Sequence, residues 1–182
     1  SREVSRRLAN EDFSGVDYVF SWLGNVDLLL AIIKLMEDKM NSDNDILEVG
    51  IQTILLVEDS VRFYSSVLPH LYKFLLKQSL IFSTEALNEH EQMLRMRGRP
   101  KVILARTYEE AMTLYNKYKN EILGVITDVS FSRDGEKDKH AGIRLAKEIK
   151  EIDPYVPLIM ESSETETAVF AIAVGGACRY KK

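Results

Sequence analysis

Four short apolar runs recur after residue 52, and none alternates with polar residues. They are Ile54-Leu-Leu-Val57, Lys101-Val-Ile-Leu-Ala105, Leu123-Gly-Val-Ile-Thr127 and Val156-Pro-Leu-Ile-Met160. A strand with one wet face alternates; a continuous apolar run is a strand buried on both faces. Helical stretches separate the runs: about Val61 to Gln78, a helix opened by Thr107 with Glu109 and Glu110 in its first turn, and about Ala141 to Lys150. A further helix is expected near Thr165–Val174, before a last short run at Ala177–Lys181. Strands that alternate with helices pair in parallel, through right-handed crossovers.

The fold class is therefore α/β: a doubly wound, five-stranded parallel sheet in the flavodoxin-like order 2-1-3-4-5. An N-terminal strand–helix fragment precedes it, with a short strand at Tyr18-Val19-Phe20 and a helix from Val26 to Met40. That helix is apolar at Leu28, Leu29, Ile32, Ile33, Leu35 and Met36, a broad face at helical spacing. Polar Asn41–Asp45 closes it. Residues 1–45 form one segment, 46–52 a linker and 53–182 the main domain. About twenty residues at 79–100 lengthen the first crossover by a helical insertion, and the sequence ends before a fifth crossover helix. The helix at 26–40 is expected to cover the sheet face so left bare.

Composition narrows the class of protein. One cysteine, Cys178, rules out an internal disulfide and suits a reducing, cytoplasmic setting. The longest apolar run, Leu28–Ile33, falls far short of the ~20 residues that span a bilayer, so no membrane partner is expected. The net charge of −4 argues against nucleic acid as a partner. The basic run Arg95-Met-Arg-Gly-Arg-Pro-Lys101 reads as a solvated face on a helix packed on the body or in a homodimer contact, or more sharply as a recognition surface.

Open parallel sheets place function beyond the carboxyl ends of their strands. The first strand ends in Glu58-Asp59, the third in Asp128 and the fourth in Glu161-Ser162-Ser163. The first and third are neighbours in the 2-1-3-4-5 order, so Glu58, Asp59 and Asp128 meet at one edge. Three such carboxylates repel unless a cation neutralises them, and oxygen-only ligands favour a hard ion such as Mg²⁺. Taken alone, Glu58-Asp59 also reads as an acidic pair stabilising a helix N-terminus.

These residues resemble a known family. Leu-Leu-Val-Glu58-Asp59-Ser, Val-Ile-Thr-Asp128, Ala-Gly142-Ile-Arg-Leu-Ala and Pro157-Leu-Ile-Met-Glu-Ser162 resemble the response-regulator (CheY-like) receiver domain of two-component signalling. The resemblance implies that Asp128 is the phospho-acceptor, in a Mg²⁺-dependent reaction with a histidine kinase or phosphotransfer protein. It implies that Glu58, Asp59, Asp128 and the backbone carbonyl of Ser130 hold the ion, and that Ser162 is the switch hydroxyl. Lys182 stands for the family's fifth-strand lysine. Two departures accompany it. Val-Ser-Phe-Ser-Arg-Asp-Gly replaces the Met-Pro that receivers place after the acceptor, and Tyr180 is not spaced by three from a lysine. Asp17-Tyr-Val-Phe-Ser-Trp-Leu-Gly-Asn and the helix after it look like the end of another, degenerate receiver. The whole is similar to the tandem-receiver region before a phosphoenolpyruvate synthase/pyruvate phosphate dikinase-like module, which implies a fused catalytic module.

The expected role is thus a signalling receiver, not a turnover enzyme. The rival reading is a pseudo-receiver, a phosphate-independent dimerisation or regulatory module of a larger protein. A Mg²⁺-dependent phosphatase is the second rival, but that class wants an aspartate at position 130, where this chain has serine.

Overall fold

A computed structural model describes residues 15–22, 24–84, 98–162 and 177–180; side chains at 82–84, 162 and 177–180 lie outside the description. In chain order the elements are α1 (Asp27–Ser42), a π-helical turn (Asp43–Glu48), β1 (Thr53–Val57), α2 (Val61–Thr84) and β2 (Lys101–Ala105). They continue as α3 (Tyr108–Tyr118), β3 (Ile122–Asp128), β4 (Phe131–Arg133), β5 (Glu136–Asp138), α4 (Ala141–Ile152), β6 (Leu158–Ser162) and β7 (Ala177–Tyr180). Five strands form one sheet in the order β2-β1-β3-β6-β7, all parallel, while β4 and β5 make a separate antiparallel hairpin. This is the doubly wound sheet that the unalternated runs predict.

Two apolar layers enclose the sheet. On one face Leu55, Val57, Ile103 and Val125 pack with α3 and α4, which bury Ala111, Met112, Tyr115, Leu145, Ala146 and Ile149. On the other, Leu56, Val102 and Leu104 pack with Tyr64, Leu68, Tyr72 and Leu75 of α2 and with Ala31 and Leu35 of α1. Alternate residues of β1 thus serve opposite layers, as a strand's two-residue period requires. Helix α1 covers part of that second face. Thr107 caps α3 through its side-chain oxygen, which accepts from the Glu110 backbone N–H at 3.2 Å.

Four local features differ from the sequence expectations. Tyr18–Phe20 is not a strand. The segment lies instead over α2: Phe20 meets the Tyr64 ring edge-on at 5.6 Å, the Ser21 N–H donates to Ser65 Oγ at 2.9 Å, and the Tyr64 hydroxyl donates to the Val19 carbonyl. A helix surface offers no strand edge, so side chains satisfy this backbone. Second, the stretch read as polar linker begins inside the π-helical turn, and Ile46 there is fully buried in the main core. Third, α2 runs six residues beyond Gln78, so residues 79–84 of the expected insertion belong to it; residues 85–97 lie outside the described residues. The helix near 165–174 also lies outside them. Fourth, β4 and β5 were not expected at all.

One buried charge cluster ties α1 to the sheet. The fully buried Asp38 carboxylate accepts from Tyr72 Oη at 2.9 Å, Arg99 Nη2 at 2.6 Å, Arg99 Nη1 at 3.1 Å and the Val102 N–H at 3.0 Å. Lys101 bridges from there to Asp45 at 2.5 Å. Burial, and then the adjacent Asp38 charge, push the Tyr72 hydroxyl far above its ordinary value, so it stays a donor. The basic run before β2 is therefore not simply a solvated face: Arg99 and Lys101 turn inward as buried counter-ions.

Candidate functional site

The site grows out of strand register. Val57 of β1 pairs with Thr127 of β3, so the next residue on each strand, Glu58 and Asp128, stand side by side past the carboxyl edge. Asp128 in turn registers with Glu161 of β6, one residue before Ser162. Carboxylate oxygens of Glu58, Asp59 and Asp128 all lie within 4.8 Å of one another. Glu58 is buried, whereas Asp59 and Asp128 are half-buried. The three carboxylates thus meet at one edge of the sheet.

Each has a local reason for its place. The Glu58 N–H donates to the Ala105 carbonyl at 3.0 Å, which extends the β1–β2 pairing one residue beyond the strand. Glu58 Oε1 accepts from the Ser60 N–H at 3.1 Å, just ahead of α2. The helix-end reading of the acidic pair is therefore also realised, by the same carboxylate that joins the cluster. Thr127, fully buried, donates its hydroxyl to the Asp128 carbonyl at 2.8 Å. Beneath the loop after Asp128 sits Gly142. A Cβ there would lie 2.0 Å from the Asp128 carbonyl oxygen, and its N–H donates to the Val129 carbonyl at 2.9 Å. Only glycine lets α4 start so close to this backbone.

Ser130 is half-buried in the bend two residues after Asp128. Ser162 ends β6 at the same sheet edge, with its hydroxyl outside the description, and Lys182 lies outside the described residues.

Sequence reasoning missed Lys137. Phe131–Arg133 and Glu136–Asp138 pair antiparallel across Asp134-Gly135, whose φ angles are 52° and 80°. An Asp-Gly pair between short strands is the signal of such a hairpin and could have revealed it. Buried Val129 and Phe131 anchor its base. A bridge from Thr107 to Ser132 and the Asp134 N–H donating to Glu109 Oε1 at 2.9 Å hold its outer part. The latter bond is the main reason the Glu109 carboxyl sits below the usual carboxylate range. Ser132 registers with Lys137, whose ammonium reaches Asp59 Oδ1 at 2.9 Å and Oδ2 at 2.7 Å. An open cavity of about 480 Å³ adjoins the hairpin, lined by charged residues that include Arg133, Lys137, Asp138 and Arg144.

Three oxygen ligands gathered this closely suit a hard divalent ion, and the ammonium on Asp59 shows that the place accepts positive charge.

No family model matches the chain, and no curated protein matches it. Among solved structures, the chain is similar to response-regulator receiver domains. A receiver domain protein from Clostridium thermocellum is 21% identical, covering 71% of this chain and 82% of its own, with a TM-score of 0.47. Chemotaxis protein CheY4 of Vibrio cholerae is 16% identical over 72% and 85% of the two chains, with a TM-score of 0.42. A chain of the CheX–CheY–BeF3–Mg²⁺ complex from Borrelia burgdorferi is 21% identical over 75% and 83%, with a TM-score of 0.44. The likeness concerns the fold; the chemistry has to come from the residues of this chain. No helix among the described residues is long and apolar enough to cross a membrane.

Proposed function

We propose that the chain is a phosphoryl-accepting receiver of the two-component type, with Asp128 as acceptor and a histidine kinase or phosphotransfer protein as donor. The observation that carries this is the convergence of Glu58, Asp59 and Asp128 within 4.8 Å at the carboxyl edge of neighbouring parallel strands. Glu58, Asp59, Asp128 and the Ser130 carbonyl would hold Mg²⁺, which when bound offsets the charge of the phosphoryl oxygens. An Asp128 carboxylate oxygen forms the new bond to phosphorus while the bond from phosphorus to the donor's nitrogen breaks. The electron pair stays on that nitrogen, which takes up a proton. Glu58 keeps its place through the Ser60 N–H, and Thr127 and Gly142 fix the Asp128 backbone. Ser162, one residue past the Asp128–Glu161 pair, would be the switch hydroxyl that responds to a new group on Asp128 and alters a partner surface.

The test is to offer acetyl phosphate with Mg²⁺. A mass gain of one phosphoryl group that Asp128→Asn abolishes is expected, and no gain in the wild type overturns the reading.

A second reading, a phosphate-independent regulatory or dimerisation module of a larger protein with a fused catalytic module, is favoured by one observation. Lys137 already supplies a positive charge to Asp59. Under that reading the chain binds no Mg²⁺ and gains no phosphoryl group.

A further inference from the structure

We infer that Lys137 sets the divalent-cation affinity of the acidic site, acting as a tethered cation that an incoming ion must displace from Asp59. The inference rests on the metal reading above. Both oxygens of Asp59 are taken by the Lys137 ammonium, at 2.9 and 2.7 Å. An ion coordinated by Glu58, Asp59 and Asp128 needs at least one of those oxygens facing it, so ammonium and ion compete for one carboxylate.

The hairpin is built to deliver this lysine. Its base is buried at Val129 and Phe131, its first strand bridges to Thr107, and its tip is tied to Glu109. Asp138, next to Lys137, accepts from the His140 N–H at 2.8 Å and pairs with Arg144 at 3.2 Å, which joins the second strand to α4. The backbone under Lys137 is therefore fixed at both ends, while its side chain is 55% exposed and can swing into water. Lys139, two residues on, lines the neighbouring cavity and supplies the same charge from the same loop.

An exposed ion pair is a weak competitor, so the lysine tunes affinity rather than blocking entry. Titration calorimetry with MgCl2 on the full chain tests this. Lys137→Gln is expected to bind Mg²⁺ about two- to fivefold more tightly than wild type, the range that a surface pair of this kind represents. Lys137→Arg should stay near wild type, and Lys139→Gln should shift affinity clearly less than Lys137→Gln. Equal shifts in Lys137→Gln and Lys139→Gln would reduce the effect to general field and overturn the inference. Mg²⁺ binding unchanged in Lys137→Gln overturns it while leaving the metal site standing. Failure of wild type and every variant to bind Mg²⁺ removes the metal reading itself.

Discussion

Two clusters of charge sit at opposite ends of the same sheet, and they are built on opposite principles. At the amino edge of β2, Asp38 is sealed from water and accepts four hydrogen bonds from three residues, Tyr72, Arg99 and Val102. At the carboxyl edges of β1 and β3, three carboxylates are brought together and left partly open, with an exposed lysine laid against one of them. A buried ion is tolerated when its lone pairs are filled, and it then fixes geometry. Like charges held together at an open edge instead invite a cation from outside. The first cluster is a closed joint, and the second stands open at the sheet edge.

The comparison can be broken at either end. The largest effect is expected from Asp38→Ala, which leaves Arg99 buried without its carboxylate while Lys101 keeps Asp45. It should cost about 3–5 kcal/mol, read from the urea midpoint. Leu35→Ala, in the same layer of α1, should cost about 2–5 kcal/mol, since Leu35 is almost fully buried against α2 and the sheet. A negligible loss would mean that α1 is a loosely held appendage. Gly142→Ala is next: the clash with the Asp128 carbonyl should destabilise by about 1–3 kcal/mol and weaken Mg²⁺ binding as the loop shifts. Asp59→Asn should do the reverse of Asp38→Ala. Its stability should stay within about 1 kcal/mol of wild type, because only an exposed pair is lost, while Mg²⁺ binding disappears.

The smallest effect concerns pH. Burial alone would raise the Asp45 carboxyl, but the hydrogen bond from Lys101, aided by Asn44, holds it below the usual range. A carboxylate depressed on folding stabilises above its unfolded pKa of about 3.9 and ceases to as pH falls through its folded value. The unfolding midpoint should therefore change little from pH 7 to 5 through this group and fall below about pH 4. Asp45→Asn should flatten part of that acid loss.

How much of this was legible in the sequence follows from the range of the interactions. The sheet could be read because each strand announces itself locally, in four or five unalternated residues. Glu58, Asp59 and Asp128 could be read because strand order alone places strand ends together. Arg99 and Lys101 could not be placed, since their partners Asp38 and Asp45 lie more than fifty residues away on elements whose packing no local pattern encodes. Tyr18–Phe20 looked like a strand from its β-favouring residues, but β-propensity needs a partner strand to act on. Lys137 stood inside a charged loop, and only the Asp134-Gly135 turn carries the information that folds it back onto Asp59.

The length of α2 has a mechanical consequence. Its 24 residues span about 36 Å, roughly twice the depth of five-residue β1. It springs from Ser60, directly beside the acidic cluster, and carries exposed Phe74, Leu80 and Ile81 towards its far end. Tyr64, Leu68, Tyr72 and Leu75 clamp its middle between the sheet and α1, with Pro69 inside that clamped stretch. Any rearrangement of Glu58 and Asp59 therefore enters α2 at its first turn, and only through that packed middle does it reach the apolar residues at the other end.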